Sequence, residues 1–480
     1  MIDTRERGSA GFLVFLAILF VLIITAGLIA FSEVTKVNPF ERAFFEEDPP
    51  VINWVQEPLG LGADPVPLAI KVTDSGSGLD EVLVRISQNN QPRDLVRKRA
   101  LAGSKAQDIT FDINPKELGL REGKAELQIL AFDQSLWSNG SKVLKSLTVD
   151  FLKPRIEVIT PQQNGVVGGS ELVYYKVIGK RPDSQGVFSD GVLYPGFPAK
   201  YWDESFKHYD DLYLAFFPIP QDFNESKDSM SLLARDSIGN AATASFNYRT
   251  RSRRWGSFSM NLTPARAEEL KSSLAAHLSN EAIKARLSGD LVTDLRSLIK
   301  ASARHDESVL SDPLSRTEGR KLWEGSFTRP LTVYPSNSAG DLRTITVEGK
   351  EILKGPAVGA RFQVSSRQKV TAANSGRVSF VDTLPLNGVT VIIDHGFGLA
   401  TVYAHLSDTN VKPGDEITKG QQIGMTGSTG LAQSEEVYFE TRLHGVPVSP
   451  NEWWDDTWVN DHIQNKTAFV QKTLIGEPGE

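Results

Sequence analysis

The stretch Val389–Glu440 reads VTVIIDHGFGLATVYAHLSDTNVKPGDEITKGQQIGMTGSTGLAQSEEVYFE. Val389, Val391 and Ile393 alternate with Thr390, Ile392 and Asp394, and His395-Gly396-Phe397-Gly398 turns the chain into a second run, Leu399 to Leu406. Alternation on both sides of glycines, which reach positive φ without a Cβ clash, is a hairpin signal. Lys412-Pro413-Gly414-Asp415, Thr418-Lys419-Gly420-Gln421 and Gly424-Met425-Thr426-Gly427-Ser428-Thr429-Gly430 follow as further turn clusters around short apolar pieces. Turn chemistry of this density between short strands predicts an antiparallel β-domain.

The stretch resembles the second half of a LytM or lysostaphin-type zinc endopeptidase, the family that cuts peptide cross-links of bacterial peptidoglycan. The likeness rests on Ile392-Ile393-Asp394-His395-Gly396, Tyr403-Ala404-His405-Leu406-Ser407, Val411-Lys412-Pro413-Gly414-Asp415 with Lys419-Gly420-Gln421, Gly427-Ser428-Thr429-Gly430, and Phe439-Glu440 followed by Pro450. Upstream it extends through Phe327 and Pro330 to Val370 and Gly376-Arg377-Val378. It implies a LytM-like, duplicated-hybrid-motif antiparallel β-domain over residues 326–454.

The site positions depart from that pattern. The family holds zinc with a His and an Asp four residues apart and with the second His of a His-x-His pair; the first His of that pair and the His of Tyr-Ala-His-Leu assist catalysis. The resemblance places the first two ligands at Ala357 and Arg361 and the His-x-His pair at Glu436 and Tyr438, so of these positions His405 alone is kept. A catalytic zinc needs three lone-pair donors and an open position for water. Alanine offers none, a guanidinium is a permanent cation, and a phenol with a reference pKa near 10 is a poor ligand. The chain has seven histidines; no two are separated by one residue and none has Asp four residues later, so a slipped alignment does not restore the ligands. His277 with Glu281 has a ligand-like spacing on a stretch that reads as an ordinary solvated helix face. The expectation is a degenerate, metal-free domain, with His405 hydrogen-bonded inside the old groove and Glu436 able to pair with it.

From Thr263-Pro264 the period changes. Threonine at the cap and proline at the first helical position start a helix carrying Leu270, Leu274 and Leu278, and a second helix is expected near Gly289 to Ala303, with Leu291, Leu295, Leu298 and Ile299 on one side. In amidase-activating LytM proteins, helical elements outside the LytM core help regulate access to its groove, so this linker, residues 253–325, is by analogy a candidate regulator.

Further upstream a repeat emerges. Pro50-Val51-Ile52 recurs as Pro154-Arg155-Ile156, and Leu130-Ala131-Phe132-Asp133 as Leu233-Ala234-Arg235-Asp236, each followed by an asparagine, Asn139 or Asn240. Within the units Leu68, Ile70 and Val72 alternate, as do Val82, Val84 and Ile86, and Leu127, Ile129 and Ala131. Such units resemble bacterial surface Ig-like β-sandwiches, expected at 50–152 and 153–252, and read as spacers. The aromatic-rich insertion Phe188 to Phe217 is their best candidate for partner binding, although such clusters more often form core.

Gly11 to Phe31 is almost wholly apolar and, at 1.5 Å per residue, makes roughly 30 Å of helix. An uncleaved transmembrane anchor over 11–31 is expected between a short tail, 1–10, and an acidic, proline-punctuated linker, 32–49; a signal peptide cleaved after Thr25-Ala26-Gly27 is the competing reading. Arg5 and Arg7 before the helix are balanced by Lys36 and Arg42 after it, so the resemblance, not the charge count, places the bulk of the chain outside the cytoplasm of a bacterium, in the periplasm. The net charge of −7 argues against nucleic acid as a partner, and the absence of cysteine excludes disulfides and thiolate metal sites. Residues 455–480 form a short tail that caps the last domain or borders its groove.

The mainly β, multidomain chain is thus expected to be a membrane-anchored cell-wall protein that binds or regulates peptidoglycan hydrolases such as an amidase, or binds peptidoglycan, with no cofactor. The alternative is an active endopeptidase with an unusual site built around His405, Glu436 and Glu440.

Overall fold

The computed structural model describes residues 16–27, 46–101, 103–277 and 287–476. Two compact units are present, 1–153 with 236–240, and 154–235 with 241–480.

In the first unit two antiparallel sheets enclose one core. Val51–Gln56, Val66–Thr73 and Ala106–Ile113 form one; Gln91–Arg99, Leu79–Gln88, Gly123–Asp133 and Gly140–Val149 form the other. The alternating residues read from the sequence, Leu68, Ile70, Val72, Val82, Val84, Ile86, Leu127, Ile129 and Ala131, all point into it. Period-two alternation places one face of each strand inside and leaves the other to water.

The second unit begins with another pair of antiparallel four-stranded sheets. Phe197–Pro198, Leu212–Pro218, Ser170–Ile178 and Arg155–Val158 make one, and Val192–Pro195, Ser184–Ser189, Met230–Arg235 and Ala241–Ser245 the other. Val173, Tyr175 and Val177 meet Val187, Leu232 and Ala234 between them. The opposite side chains, Leu172, Tyr174, Leu214 and Phe216, join a second core with Trp323, Phe327 and Trp453. Leu212–Pro218 is therefore buried along its whole length. The aromatic-rich insertion is largely interior: Trp202 lies 5.6 Å from Trp323 and 5.7 Å from Phe397, and Phe197 lies 5.0 Å from Phe397, ring centre to ring centre. The C-terminal tail packs on the same module, with Tyr174 Oη 2.8 Å from Thr467 Oγ1 and Tyr209 Oη donating to the Leu474 carbonyl at 2.6 Å.

The hairpin expected in Val389–Glu440 forms as Gly388–Gly396 and Leu399–Leu406, paired antiparallel. It lies within a sheet ordered Ala360–Gln363, Glu436–Leu443, Leu399–Leu406, Gly388–Gly396, Gly376–Leu384 and Glu416–Ile417, with Val446–Val448 also pairing Glu436–Leu443. Both Leu399–Leu406 and Glu436–Leu443 are buried throughout, because both sheet faces are covered. Val391, Ile393, Tyr403, Val437 and Phe439 face the aromatic core. Ile392, Ala400 and Val402 face Leu310 and Leu314 of the helix Leu291–Ser315.

The segment 253–325 is not helical throughout. Ser257–Leu262 is a strand, paired in parallel with Leu342–Val347, because Phe258, Met260 and Leu262 alternate with polar residues and bury against the helices. Thr263 caps Pro264–His277 as expected, accepting from the Arg266 amide at 3.3 Å, while Leu278 lies outside the described residues. The second helix starts on an Asp290 cap, whose carboxylate takes the Thr293 amide at 2.9 Å, and runs to Ser315 rather than Ala303. The charged run His305-Asp306-Glu307 hides the continuing period: Ser302, Asp306, Leu310 and Leu314 repeat every four residues on one buried face.

Residues 16–27 are helical, which at 1.5 Å per residue is roughly 18 Å. No helix among the described residues is long and apolar enough to cross a membrane. The remainder of the expected anchor, 11–15 and 28–31, lies outside the described residues, as do 1–10 and most of the linker.

Candidate functional site

Glu436–Leu443 is the strand that builds the site. Arg361 on one neighbour and Ala404 on the other both stand opposite Tyr438. Since alternate residues share a face, Glu436, Tyr438, Glu440 and Arg442 all project away from the aromatic core, toward the helix Leu291–Ser315. A cavity of about 350 Å³ remains there, lined by Arg361, His405, Tyr438, Glu440 and Arg442 from the sheet and by Ala303, Asp306 and Glu307 from the helix.

Behind its wall, Arg361 and His405 close on a buried carboxylate, Glu436. Arg361 Nε donates to Glu436 Oε1 at 3.1 Å and Nη2 donates to Oε2, a two-pronged contact that fixes the guanidinium plane. His405 Nδ1 lies 2.8 Å from the same Oε1. Arg361 is 5% exposed and Glu436 not at all. Burial acts to raise the Glu436 carboxyl, but the hydrogen bond and charge of His405, then those of Arg361, outweigh it and hold the group below the usual carboxylate range. His405 sits at φ 65°, in the left-handed region that a side chain with a Cβ rarely adopts, and its amide is tied to the Asn387 carbonyl at 2.8 Å.

The Tyr438 ring stacks on His405, 5.5 Å between centres, and its hydroxyl is buried without a hydrogen-bond partner. Burial pushes that phenol far up and keeps it neutral. Ala357 contributes only backbone contacts, its amide donating to the Asp341 carbonyl at 2.8 Å and its carbonyl accepting from the Gly340 amide at 2.6 Å. Glu440 is engaged by Arg442 Nε at 2.7 Å, and Arg442 Nη1 reaches Glu307 on the helix at 2.8 Å. Asp306 accepts from the amides of Leu386 and Asn387, both at 2.9 Å; burial nevertheless holds its carboxyl above the usual range. The other histidine of the hairpin, His395, is interior: Nδ1 donates to the Ser375 carbonyl at 2.7 Å, and burial pushes its pKa down to about 4.

The positions at which the resemblance places zinc ligands therefore hold a methyl group, a guanidinium and a neutral phenol. Among the described residues of this groove no three His, Asp or Glu side chains bring ligand atoms within reach of one ion. This donor set does not fit a catalytic zinc.

An antiparallel sheet with a groove across one face, and the motif order along its strands, define a LytM-type domain. Residues 355–450 match peptidase family M23, and the chain carries a domain of that family. It is 33% identical over 140 residues to murein hydrolase activator EnvC of Escherichia coli strain K12, a match that covers 29% of this chain and 32% of that protein. It is 33% identical over 94 residues to peptidoglycan DD-endopeptidase ShyA of Vibrio cholerae, covering 20% of this chain and 22% of the relative. The match thus spans about a third or less of these relatives' own lengths. A crystal structure described as a peptidase M23 from Pseudomonas aeruginosa superposes with a TM-score of 0.35 at 18% identity, covering 60% of this chain and 94% of that one.

Sequence reasoning placed Arg361, His405, Glu436 and Tyr438, and the structure brings them together. It did not anticipate Arg442, Asp306 or Glu307. The signal for Arg442 was present in the two-residue period that already joined Glu436 to Tyr438.

Proposed function

We propose that the M23 domain of this chain binds and regulates a peptidoglycan hydrolase, an amidase by preference, and does not itself cut peptidoglycan. The observation that carries this reading is the Arg361–Glu436–His405 cluster. A permanent cation, neutralised by a buried carboxylate, stands where a hydrolase of this family needs metal donors. Without a metal, water is not acidified toward a pKa of about 7 and no hydroxide forms at neutral pH. The similarity to a relative named as a murein hydrolase activator supports the same reading.

In the proposed resting state the helix Leu291–Ser315 covers the groove. Glu307 holds Arg442, Asp306 holds two backbone amides, and Leu310 and Leu314 bury on the sheet. Two buried leucines contribute about 1.5–3 kcal/mol each, enough to keep the helix down unless a partner replaces it. Residues 11–31 would anchor the chain in the inner membrane with its bulk in the periplasm. The helicity of 16–27 and its outward-facing Ile18, Phe20 and Val21 support that placement.

The test adds the full chain to N-acetylmuramoyl-L-alanine amidases and follows release of dye from labelled sacculi. The chain alone is expected to release none, and at least one amidase is expected to be stimulated, more strongly by a Glu307→Ala chain. Dye release by the chain alone, abolished by His405→Ala, would make it a hydrolase; no effect on any amidase would remove the regulatory reading.

A further inference from the structure

A second group of acidic side chains lies in the first unit. Glu46, Asp74 and Asp133 bring carboxylate oxygens within 4.8 Å of one another. Calcium–oxygen distances are about 2.3–2.6 Å, so two oxygens on one ion stand at most roughly 5 Å apart, and these three are spaced to share one. Asp74 and Asp133 are 5% and 1% exposed. Buried like charges repel at short range unless a cation joins them. Among the described residues no Lys, Arg or His side chain pairs with any of the three. Lys105 is held instead by the carbonyls of Ser75, at 3.0 Å, and Gly76.

The oxygens are only partly satisfied by neutral donors. Glu46 Oε2 accepts from the Ser77 amide and Asp74 Oδ2 from the Gly78 amide, each at 2.5 Å. Asp133 accepts from the Ser135 amide and hydroxyl and from Asn139 Nδ2. Glu46 Oε1 is buried with no partner at all. Independently of the carboxylates, Ser77 is 4% exposed and its hydroxyl is also buried without a partner. Its own amide holds Glu46 Oε2, so this orphaned oxygen belongs to a residue that already touches the cluster. At Gly76 a Cβ would overlap the Glu46 carboxylate, so glycine is what admits that carboxylate to the cluster.

The repeated loop shows what the fold itself requires. Asp236 and Asn240 correspond to Asp133 and Asn139, and there Asp236 is satisfied by the Ile238 and Asn240 amides and by Asn240 Nδ2; Asp150, whose carbonyl takes Asn240 Nδ2 as the Glu46 carbonyl takes Asn139 Nδ2, stands at the Glu46 position. The turn closes on Asp and Asn alone. In the repeated loop the Asp150 carboxylate takes the Leu152 amide at 2.9 Å, whereas in the first loop the Glu46 and Asp74 carboxylates gather beside Asp133.

We propose that Glu46, Asp74 and Asp133, with the Ser77 hydroxyl, form a binding site for a calcium ion. A donor set made only of oxygens suits a hard cation and not zinc or copper. The ion would clamp the segment entering the first unit, which carries Glu46, to the loops Asp74–Gly78 and Asp133–Asn139; Asn139 Nδ2 already ties the Glu46 carbonyl at 2.8 Å.

The experiment titrates calcium chloride into the full chain, stripped with EDTA and desalted, at pH 7 by calorimetry. One ion per chain is expected, with a Kd of about 0.1–1 mM, the range of extracellular calcium modules. Glu46→Gln, at the edge of the unit, is expected to weaken binding about tenfold or more by removing one charged ligand. Asp74→Asn is expected to do the same, and exposed Asp312→Asn to change nothing. A stripped chain that gives no saturable heat overturns the proposal, as does binding that survives both Glu46→Gln and Asp74→Asn.

Discussion

Replacing Arg361 with alanine takes the guanidinium out of a pair whose two members are almost wholly buried. Glu436 then keeps a charge with no water to solvate it, or binds a proton. Removing one partner of a buried pair costs about 3–5 kcal/mol. The His405 contact at 2.8 Å survives, which places the expected loss at the lower end, about 3 kcal/mol. Replacing both partners, Arg361→Leu with Glu436→Leu, removes the stranded charge as well and is expected to recover most of that loss. The pH dependence follows with a defined sign. Glu436 is held below its unfolded value, so its stabilisation is complete above an unfolded pKa of about 4.3 and is lost as pH falls through the lower folded value. In Arg361→Ala the carboxyl moves up, so the acid weakening shrinks; where its folded value passes above the unfolded one the sign reverses, and lowering the pH recovers part of the loss. Urea unfolding of the full chain, followed by tryptophan fluorescence from pH 7 down to about pH 3, through the carboxylate range, measures both effects. A single-variant loss below about 1 kcal/mol, the value typical of an exposed pair, would refute the reasoning, as would a double variant no more stable than the single one.

Tyr438→Phe removes a buried hydroxyl that has no partner and is expected to leave stability unchanged or raise it by up to about 1 kcal/mol, read in the same urea series. Glu452, whose Oε2 accepts from the Ser170 amide at 2.8 Å, is pushed by burial up to about 8; its folded value lies above the unfolded one, so stability falls as pH rises from about 4.3 toward 8, and Glu452→Gln is expected to flatten that fall in thermal melts. Phe397→Ala empties the space between Phe197 and Trp202 and is expected to cost about 3–5 kcal/mol in urea unfolding. Zinc titration calorimetry of the full chain is expected to show no binding in the micromolar range; tight binding lost in His405→Ala would reinstate a metal site.

Strands were legible wherever one face meets water. Leu68-Ile70-Val72 and Val82-Val84-Ile86 alternate because their other faces are solvated, and the structure buries those residues. Leu399–Leu406 was found by its glycine turns, since a strand covered on both faces carries little alternation. The end of the helix Leu291–Ser315 was misread because Asp306 and Glu307 look like solvent-facing acids in sequence. Their partners, Leu386, Asn387 and Arg442, are about 80 to 135 residues away, and no local pattern reports them. The groove's four substituted positions were legible because motif spacing, not periodicity, located them. The carboxylate cluster of the first unit was not, because its three members lie on separate segments.

The aromatic interior formed by Trp202, Phe216, Trp323, Phe397 and Trp453 sets where this chain can be cut. A truncation beginning at Ser326 severs Trp323 and the whole strand Leu212–Pro218 from the rings they cover. The resulting fragment would present a sticky aromatic wound, prone to aggregate, and its failure to act on a partner would report that damage. Dissection that respects the packing leaves 154 onward in one piece, which should melt in a single cooperative transition.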